Sequence, residues 1–241
     1  MFWILPQMPS GYHWMARRTR QLEERSEQMV SKAMELSCRQ NPNVKIRVVP
    51  GHFATTHAHA NYYIDITEPK LSHEMGREAA ITLAADYAYE KVVDTIAALD
   101  GSELISAFLA RHLTRNEFFM VNGQKNIYVV PPENNSSGQL IFRDNTQPMI
   151  RDRNVLIMID AIATGQAARR AIECIQYYGG KIAGIAAIFS AFDELEGIRI
   201  SHLFGKADIP DYQAVDYHEC PQCKAGMKLD ALANSFGYSM L

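Results

Sequence analysis

The 241-residue chain has little net charge, few cysteines and no long apolar run, and each shortage removes a class of function. A formal charge of -3 at pH 7 gives no basic footprint for nucleic acid, so none is expected as a partner. Every apolar run is shorter than the roughly 20 residues a membrane-spanning helix needs, so no membrane partner is expected either. The apolar start, residues 1–5, is too short for a signal-peptide core and is followed, not preceded, by Arg17, Arg18 and Arg20. The chain therefore reads as cytoplasmic. Four cysteines make no secreted disulfide framework, and Cys38 and Cys174 fall in segments with helical patterning. There is no H-E-x-x-H, internal repeat, low-complexity tract or long linker. What is abundant is core material: 47% of residues are hydrophobic, ample for one large α/β domain spanning 1–241.

The most informative stretch is residues 154–184. Val155 to Ile159 is a continuous apolar run, the pattern of a strand buried on both faces of a parallel sheet, and Asp160 ends it. Ala163, Thr164, Gly165, Gln166 and Ala167 form a small-residue turn. Ala168, Ala171, Ile172 and Ile175 then recur at helical spacing until Gly179-Gly180 stops the helix. In such a unit the turn's N–H groups, the Thr164 hydroxyl and the positive end of the helix dipole converge just beyond the strand, a place that suits a phosphate. Asp160, immediately before the loop, could take ribose hydroxyls or a magnesium-bound water. An ordinary βα unit with small residues for close packing is the alternative on local sequence.

Around this unit the chain falls into an N-terminal arm and helix (1–43), a core (44–205) and a polar, aromatic tail (206–241). The arm holds Phe2, Trp3, Tyr12 and Trp14 without periodicity and suits a surface of the body or of a second subunit. Residues 17–40 pattern as an amphipathic helix ended by Asn41-Pro42. Residues 44–49 alternate as a strand and lead to a segment with His52, His57 and His59, which a strand and turn would set on differing faces. Helical patterning over 74–90 and a strand over 92–99 bring a second strand-loop-helix unit at Asp100, Gly101 and Ser102. Strands at 127–130 and 139–142 flank a polar loop without Lys, Arg or His. Strands at 182–189 and 198–204 complete a doubly wound, mainly parallel α/β sheet. In the tail Cys220 and Cys223 form a CxxC, half a zinc site by spacing, with His218 and His202 as conceivable further ligands.

The run Met158-Ile159-Asp160-Ala161-Ile162-Ala163-Thr164-Gly165 resembles the phosphoribosyl-pyrophosphate (PRPP) motif of type I phosphoribosyltransferases, and the chain from about Val48 onward is similar in element order to their orotate branch. It departs from the motif at Ile159, where the family has the first of two acidic residues. The resemblance implies transfer of ribose 5-phosphate from PRPP to a nucleobase, orotate by analogy, with magnesium and release of pyrophosphate, commonly in a homodimer. It implies a 5′-phosphate site at Ala163–Ala167, Asp160 on the ribose as the catalytic position, pyrophosphate near Asp100, Gly101 and Ser102, and a base pocket with Phe53 and Tyr63. The polar loop near 126–142 takes the place of the family's mobile hood but lacks its lysine, so Lys125, Arg143 or another subunit would have to supply positive charge. A Cys-Pro-x-Cys segment occurs near the end of some relatives, which favours a structural turn over zinc. The missing carboxylate and cation also admit a PRPP-binding regulator without chemistry, although no helix-turn-helix precedes the core.

Overall fold

The structure, a computed structural model, describes residues 20, 23–25, 27, 29–117 and 119–241. The aromatic arm and the start of the first expected helix lie outside the described residues. In chain order, β1 (Met34–Ser37), β2 (Lys45–Ala54) and β3 (His59–Asp65) precede helices α1 (Thr67–Leu71) and α2 (His73–Ala84). Then come β4 (Thr95–Ala98), α3 (Glu103–Leu113), β5 (Tyr128–Val130), the two-residue strands β6 (Glu133–Asn134) and β7 (Leu140–Ile141), β8 (Asn154–Ile162) and α4 (Gln166–Tyr177). The chain closes with β9 (Lys181–Ser190), β10 (Glu194–Leu195), β11 (Ile198–Gly205), β12 (Ala214–Val215), α5 (Pro221–Lys224), β13 (Ala231–Asn234) and β14 (Gly237–Met240).

The central sheet has the order β10-β11-β9-β8-β4-β5, parallel except at the β10 edge. Its strands are short apolar runs because both faces are covered. Along β8, Leu156 and Met158 pack with Leu83 of α2 and Leu109 of α3, while Val155, Ile157 and Ile159 pack with Ile172 and Ile175 of α4. Successive residues of one strand thus feed two apolar layers, and the expected doubly wound α/β arrangement is what the chain forms. Helix α4 ends at Tyr177, with Gly179 at φ 81° in the left-handed turn that follows. No helix among the described residues is long and apolar enough to cross a membrane.

Several expectations change here. The amphipathic pattern expected as a helix over 17–40 gives way after Val30 to a turn, and Met34–Ser37 pairs antiparallel with Lys45–Val48. Pairing to a neighbouring strand overrides helical spacing, and Cys38 follows a strand rather than sitting in a helix. The second helix is shorter than 74–90, ending at Ala84. Strand β8 runs on through Asp160 to Ile162 instead of stopping before the aspartate. The loop expected to join two strands over 127–142 divides differently: β5 joins the central sheet, and only β6 and β7 form a hairpin.

The largest difference is in the last 36 residues, 206–241. Read as a tail, they instead supply β12, which pairs with β3, and β13, which runs parallel to β2 and carries β14 at its side. With β1 they complete a second sheet in the order β12-β3-β2-β13-β14. These strands are two to four residues long and polar in part, so no local pattern announces them.

Candidate functional site

A cavity of about 500 Å³ opens between the carboxyl ends of β4 and β8 and the second sheet. At one end, Ala163, Thr164, Gly165, Gln166 and Ala167 all line it. Gly165 caps α4 with φ 79°, and a Cβ there would lie 3.1 Å from Leu195 Cδ1 and 3.2 Å from Arg169 Nη1. The left-handed φ favours glycine, and a Cβ would press on both side chains. The first helical turn leaves the N–H groups of Gln166, Ala167 and Ala168 without intrahelical partners, pointing at the cavity's end. Arg169 Nη1 donates to Thr164 O at 3.3 Å and holds the loop from behind. The loop expected as a phosphate site thus lies at the cavity's end, directly ahead of α4.

In the middle of the cavity stands an ion pair that sequence reasoning missed. Lys70 Nζ lies 2.9 Å from Asp160 Oδ2, with both side chains at most 7% exposed. The ammonium also donates to the carbonyls of Asp100 and Ser235, so its three donors are all engaged. Asp160 accepts a second hydrogen bond from Ala161 N at 2.6 Å. Burial pushes its carboxyl up to about 6, against the opposing pull of Lys70, while Asp100 adds a smaller upward push. Partial desolvation likewise raises Asp100, with Lys70 and Arg170 opposing. Nothing in the sequence around Lys70 distinguishes it from a solvated helix lysine; only the fold turns it inward.

The turn after β4 is only partly as expected. Asp100 and Gly101 line the cavity with φ 53° and 79°, two consecutive left-handed residues. Ser102 does not line it. That side chain is fully buried, and its Oγ donates to Met158 O at 3.0 Å, tying the start of α3 to β8. The hydroxyl is thereby taken from any ligand.

The opposite wall is aromatic. Tyr63 lines the cavity, and desolvation pushes its hydroxyl up to about 12. Phe53 has no exposed surface; its ring lies 5.8 Å from that of Tyr63 and 6.2 Å from that of Tyr238. Both expected aromatic residues thus line the cavity, with Phe53 packed behind Tyr63. Phe236, 88% exposed in the β13–β14 turn, stands at the rim.

Positive charge at the cavity comes from α1 and α4, not from the polar hairpin. Arg170 lines it, with Nη1 donating to Gly138 O of that hairpin at 3.4 Å and Nη2 3.3 Å from His57 Nε2. Its Nε is buried without a hydrogen-bond partner. Arg143 is instead paired with Glu133 at 2.7 Å, and Lys125 does not line the cavity. The position of Arg170 five residues beyond Gly165 is a signal a helical wheel could have given.

The CxxC has unexpected neighbours. Cys220 and Cys223 meet His52 and His59, with one donor atom from each within 4.8 Å of the others. His59 pairs with Ala54, two residues from His52, so alternation puts the two histidines on one face of the hairpin instead of on differing faces. His202 instead contacts Asp193 at 3.0 Å, and His218 is exposed beside Tyr217, so neither joins the group.

No protein-family model and no curated protein sequence matches the chain. Among solved structures it is similar to the orotate phosphoribosyltransferase of Mycobacterium tuberculosis in complex with inorganic phosphate, at 20% identity and TM-score 0.42 over 62% of this chain and 80% of that one. It is similar to the adenine phosphoribosyltransferase of Thermoanaerobacter pseudethanolicus at 17% identity and TM-score 0.46, over 74% and 98% of the two chains. A phosphoribosyltransferase from Corynebacterium diphtheriae gives 17%, 0.45, 79% and 98%. Likenesses this distant leave the chemistry to be argued from this chain's own residues.

Proposed function

We propose that the chain binds PRPP in this cavity and transfers its ribose 5-phosphate to a nitrogen of a planar nucleobase, orotate by resemblance, releasing pyrophosphate. The observation that carries the reading is the arrangement along one cavity: a helix N-terminus at one end, a buried lysine–aspartate pair in the middle and an aromatic wall opposite. The 5′-phosphate sits on the N–H groups at Thr164, Gly165, Gln166 and Ala167. Asp160 accepts from the ribose hydroxyls, and Tyr63 flanks the base. Lys70 is a positioning residue that fixes the Asp100 and Ser235 carbonyls and the Asp160 carboxylate. The Arg170 guanidinium, which lines the cavity, meets the diphosphate as it leaves. Magnesium arriving with the diphosphate would offset its charge; since Asp160 is engaged by Lys70 and Ala161, Asp100 is the pocket carboxylate that would meet it.

A second reading is favoured by one observation. Ile159, where the resembled motif carries an acid, is fully buried in the apolar layer beneath α4, so the site holds one carboxylate fewer and suits a PRPP-binding protein that performs no transfer. Calorimetric titration with PRPP and magnesium, then with a panel of bases while pyrophosphate is monitored, separates the two. Binding with release supports the transferase and names its base. Binding without release for every base supports the second reading, and no binding removes both. In the Arg170→Gln protein, release is expected to slow by about 10–100-fold with PRPP affinity less affected.

A further inference from the structure

We propose that His52, His59, Cys220 and Cys223 form a tetrahedral zinc site that locks the second sheet together. The four come from two distant places, the β2–β3 hairpin and the segment around α5, yet their donor atoms converge on one point. His52 Nε2 lies 3.2 Å from His59 Nδ1, 3.4 Å from Cys220 Sγ and 3.6 Å from Cys223 Sγ, and Cys223 Sγ lies 3.2 Å from His59 Nδ1. With Zn–N of about 2.0–2.1 Å and Zn–S of about 2.3 Å, the edges of a tetrahedral Cys2His2 site are about 3.3 Å between nitrogens and about 3.5 Å between nitrogen and sulfur. These four of the six spacings have that size, and the other two are within 4.8 Å.

Hydrogen bonding alone explains this convergence poorly. His52 is fully buried, and its Nδ1 lies 3.1 Å from Lys228 O. A carbonyl can only accept, so Nδ1 carries the proton and Nε2 presents a lone pair toward the cluster. That single lone pair faces two thiols and a second imidazole nitrogen at once. A cation that accepts a lone pair from all four groups satisfies them together, and the Lys228 carbonyl is then the outer partner that orients a ligating imidazole. The charge balance suits the burial: the thiols of Cys220 and Cys223 release their protons to solvent, and two thiolates neutralise the dication among side chains of which His52 and Cys220 are at most 2% exposed. Two sulfurs and two nitrogens in one tetrahedron favour zinc over hard cations. A two-iron cluster would put histidines and cysteines on different metals, whereas here nitrogen and sulfur are within 3.2–3.6 Å of one another.

The site lies where the second sheet most needs a tie. From Cys223 the chain passes Lys228 to Asp230, which exchanges hydrogen bonds with the His52 backbone, Asp230 N to His52 O and His52 N to Asp230 Oδ2, both at 2.8 Å. It then enters β13 beside Phe53 and turns at Ser235, whose carbonyl accepts from Lys70 in the cavity. The metal would therefore hold the aromatic wall in register from outside the ligand site.

The test uses the full chain purified without added zinc. Elemental analysis is expected to find zinc at about one ion per chain. Cobalt loading of chelated protein is expected to give the visible bands of a tetrahedral site together with thiolate charge-transfer absorption. Chelation should expose two thiols to a colorimetric reagent and lower the melting temperature, and zinc should reverse both. Cys223→Ser, which alters an exposed side chain, is expected to keep its circular dichroism while losing metal affinity by more than the roughly tenfold that removing an outer partner costs. His59→Gln should do the same. Folded wild-type chain that holds no zinc or cobalt at stoichiometric supply overturns the proposal, as does full metal retention by Cys223→Ser or an iron–sulfur chromophore. None of these measurements depends on whether PRPP binds.

Discussion

The two sheets reach stability by different means. The central sheet pairs strands no more than about 60 residues apart in sequence, and they bury continuous apolar runs between two apolar layers. The second sheet joins the consecutive strands β1–β3 to segments some 150 residues or more further on, and its outer apolar cluster comprises Met29, Val49, Phe53 and Ala231. Its inner face adds Ile46 and Val48 to the main core, and polar ties hold the rest: the His/Cys group, Asp230 on the His52 backbone, and Arg25 on the Leu241 carbonyl at 2.8 Å. The cavity lies where the two meet. The lesson is a division of labour in which hydrophobic burial builds the rigid half of the site and specific side-chain bonds place the other half.

Lys70 is the joint between the halves, so removing it is expected to have the largest effect. Lys70→Met leaves Asp160 buried without a counter-charge, a loss of about 3–5 kcal/mol in urea unfolding at pH 7 that shrinks at pH 5, where the carboxyl takes up a proton. Adding Asp160→Leu should recover most of the loss; if it does not, the joint is not the ion pair. Next, Ile157→Ala in the centre of β8 is expected to cost about 2–5 kcal/mol and to lower the whole unfolding transition. Native-state hydrogen exchange should complement it, with amides of β8 and β9 opening only on global unfolding and those of β12–β14 opening earlier. Uniform protection across both sheets would erase the proposed difference.

A subtler effect is the pH dependence of Asp160. Its folded pKa, pushed up to about 6 from 3.8, lets the native protein hold a proton that the unfolded chain has released between those values. Its contribution to stability is therefore fully present below the unfolded pKa and is lost as pH rises through about 6. The stability of wild type minus that of Asp160→Asn should fall over this window and flatten above it, with titrations common to both cancelling. The smallest expected change is Gly165→Ala. The left-handed φ and the close Leu195 contact together give about 1–2 kcal/mol of destabilisation, and titration should show phosphate affinity falling further than stability.

Legibility in the sequence follows the same divide. The apolar run from Val155 to Ile159, the turn at Thr164-Gly165 and the Gly179-Gly180 stop are local signals, and a strand, a loop and a helix formed there in that order, the strand running three residues further to Ile162. The pattern over 17–40 misled because Leu36 serves strand β1 as well as it would a helix face. Ser102 was legible as a turn residue but not as one whose hydroxyl is spent on Met158 O. Lys70 and Arg170 were overlooked because burial is a property of what surrounds a side chain, not of its type.

What the sequence by itself determined was the periodic part: buried parallel strands, the helices between them and a phosphate-suited loop at a strand's carboxyl end, each set by residues within one turn or one strand of one another. What only the tertiary structure decided was every meeting across distance. Lys70 reaches Asp160, Ser235 comes under Lys70, and His52 and His59 join Cys220 and Cys223. Such contacts form when chain closure brings remote segments together, and the free energy that selects them belongs to the assembled pair and to neither segment alone.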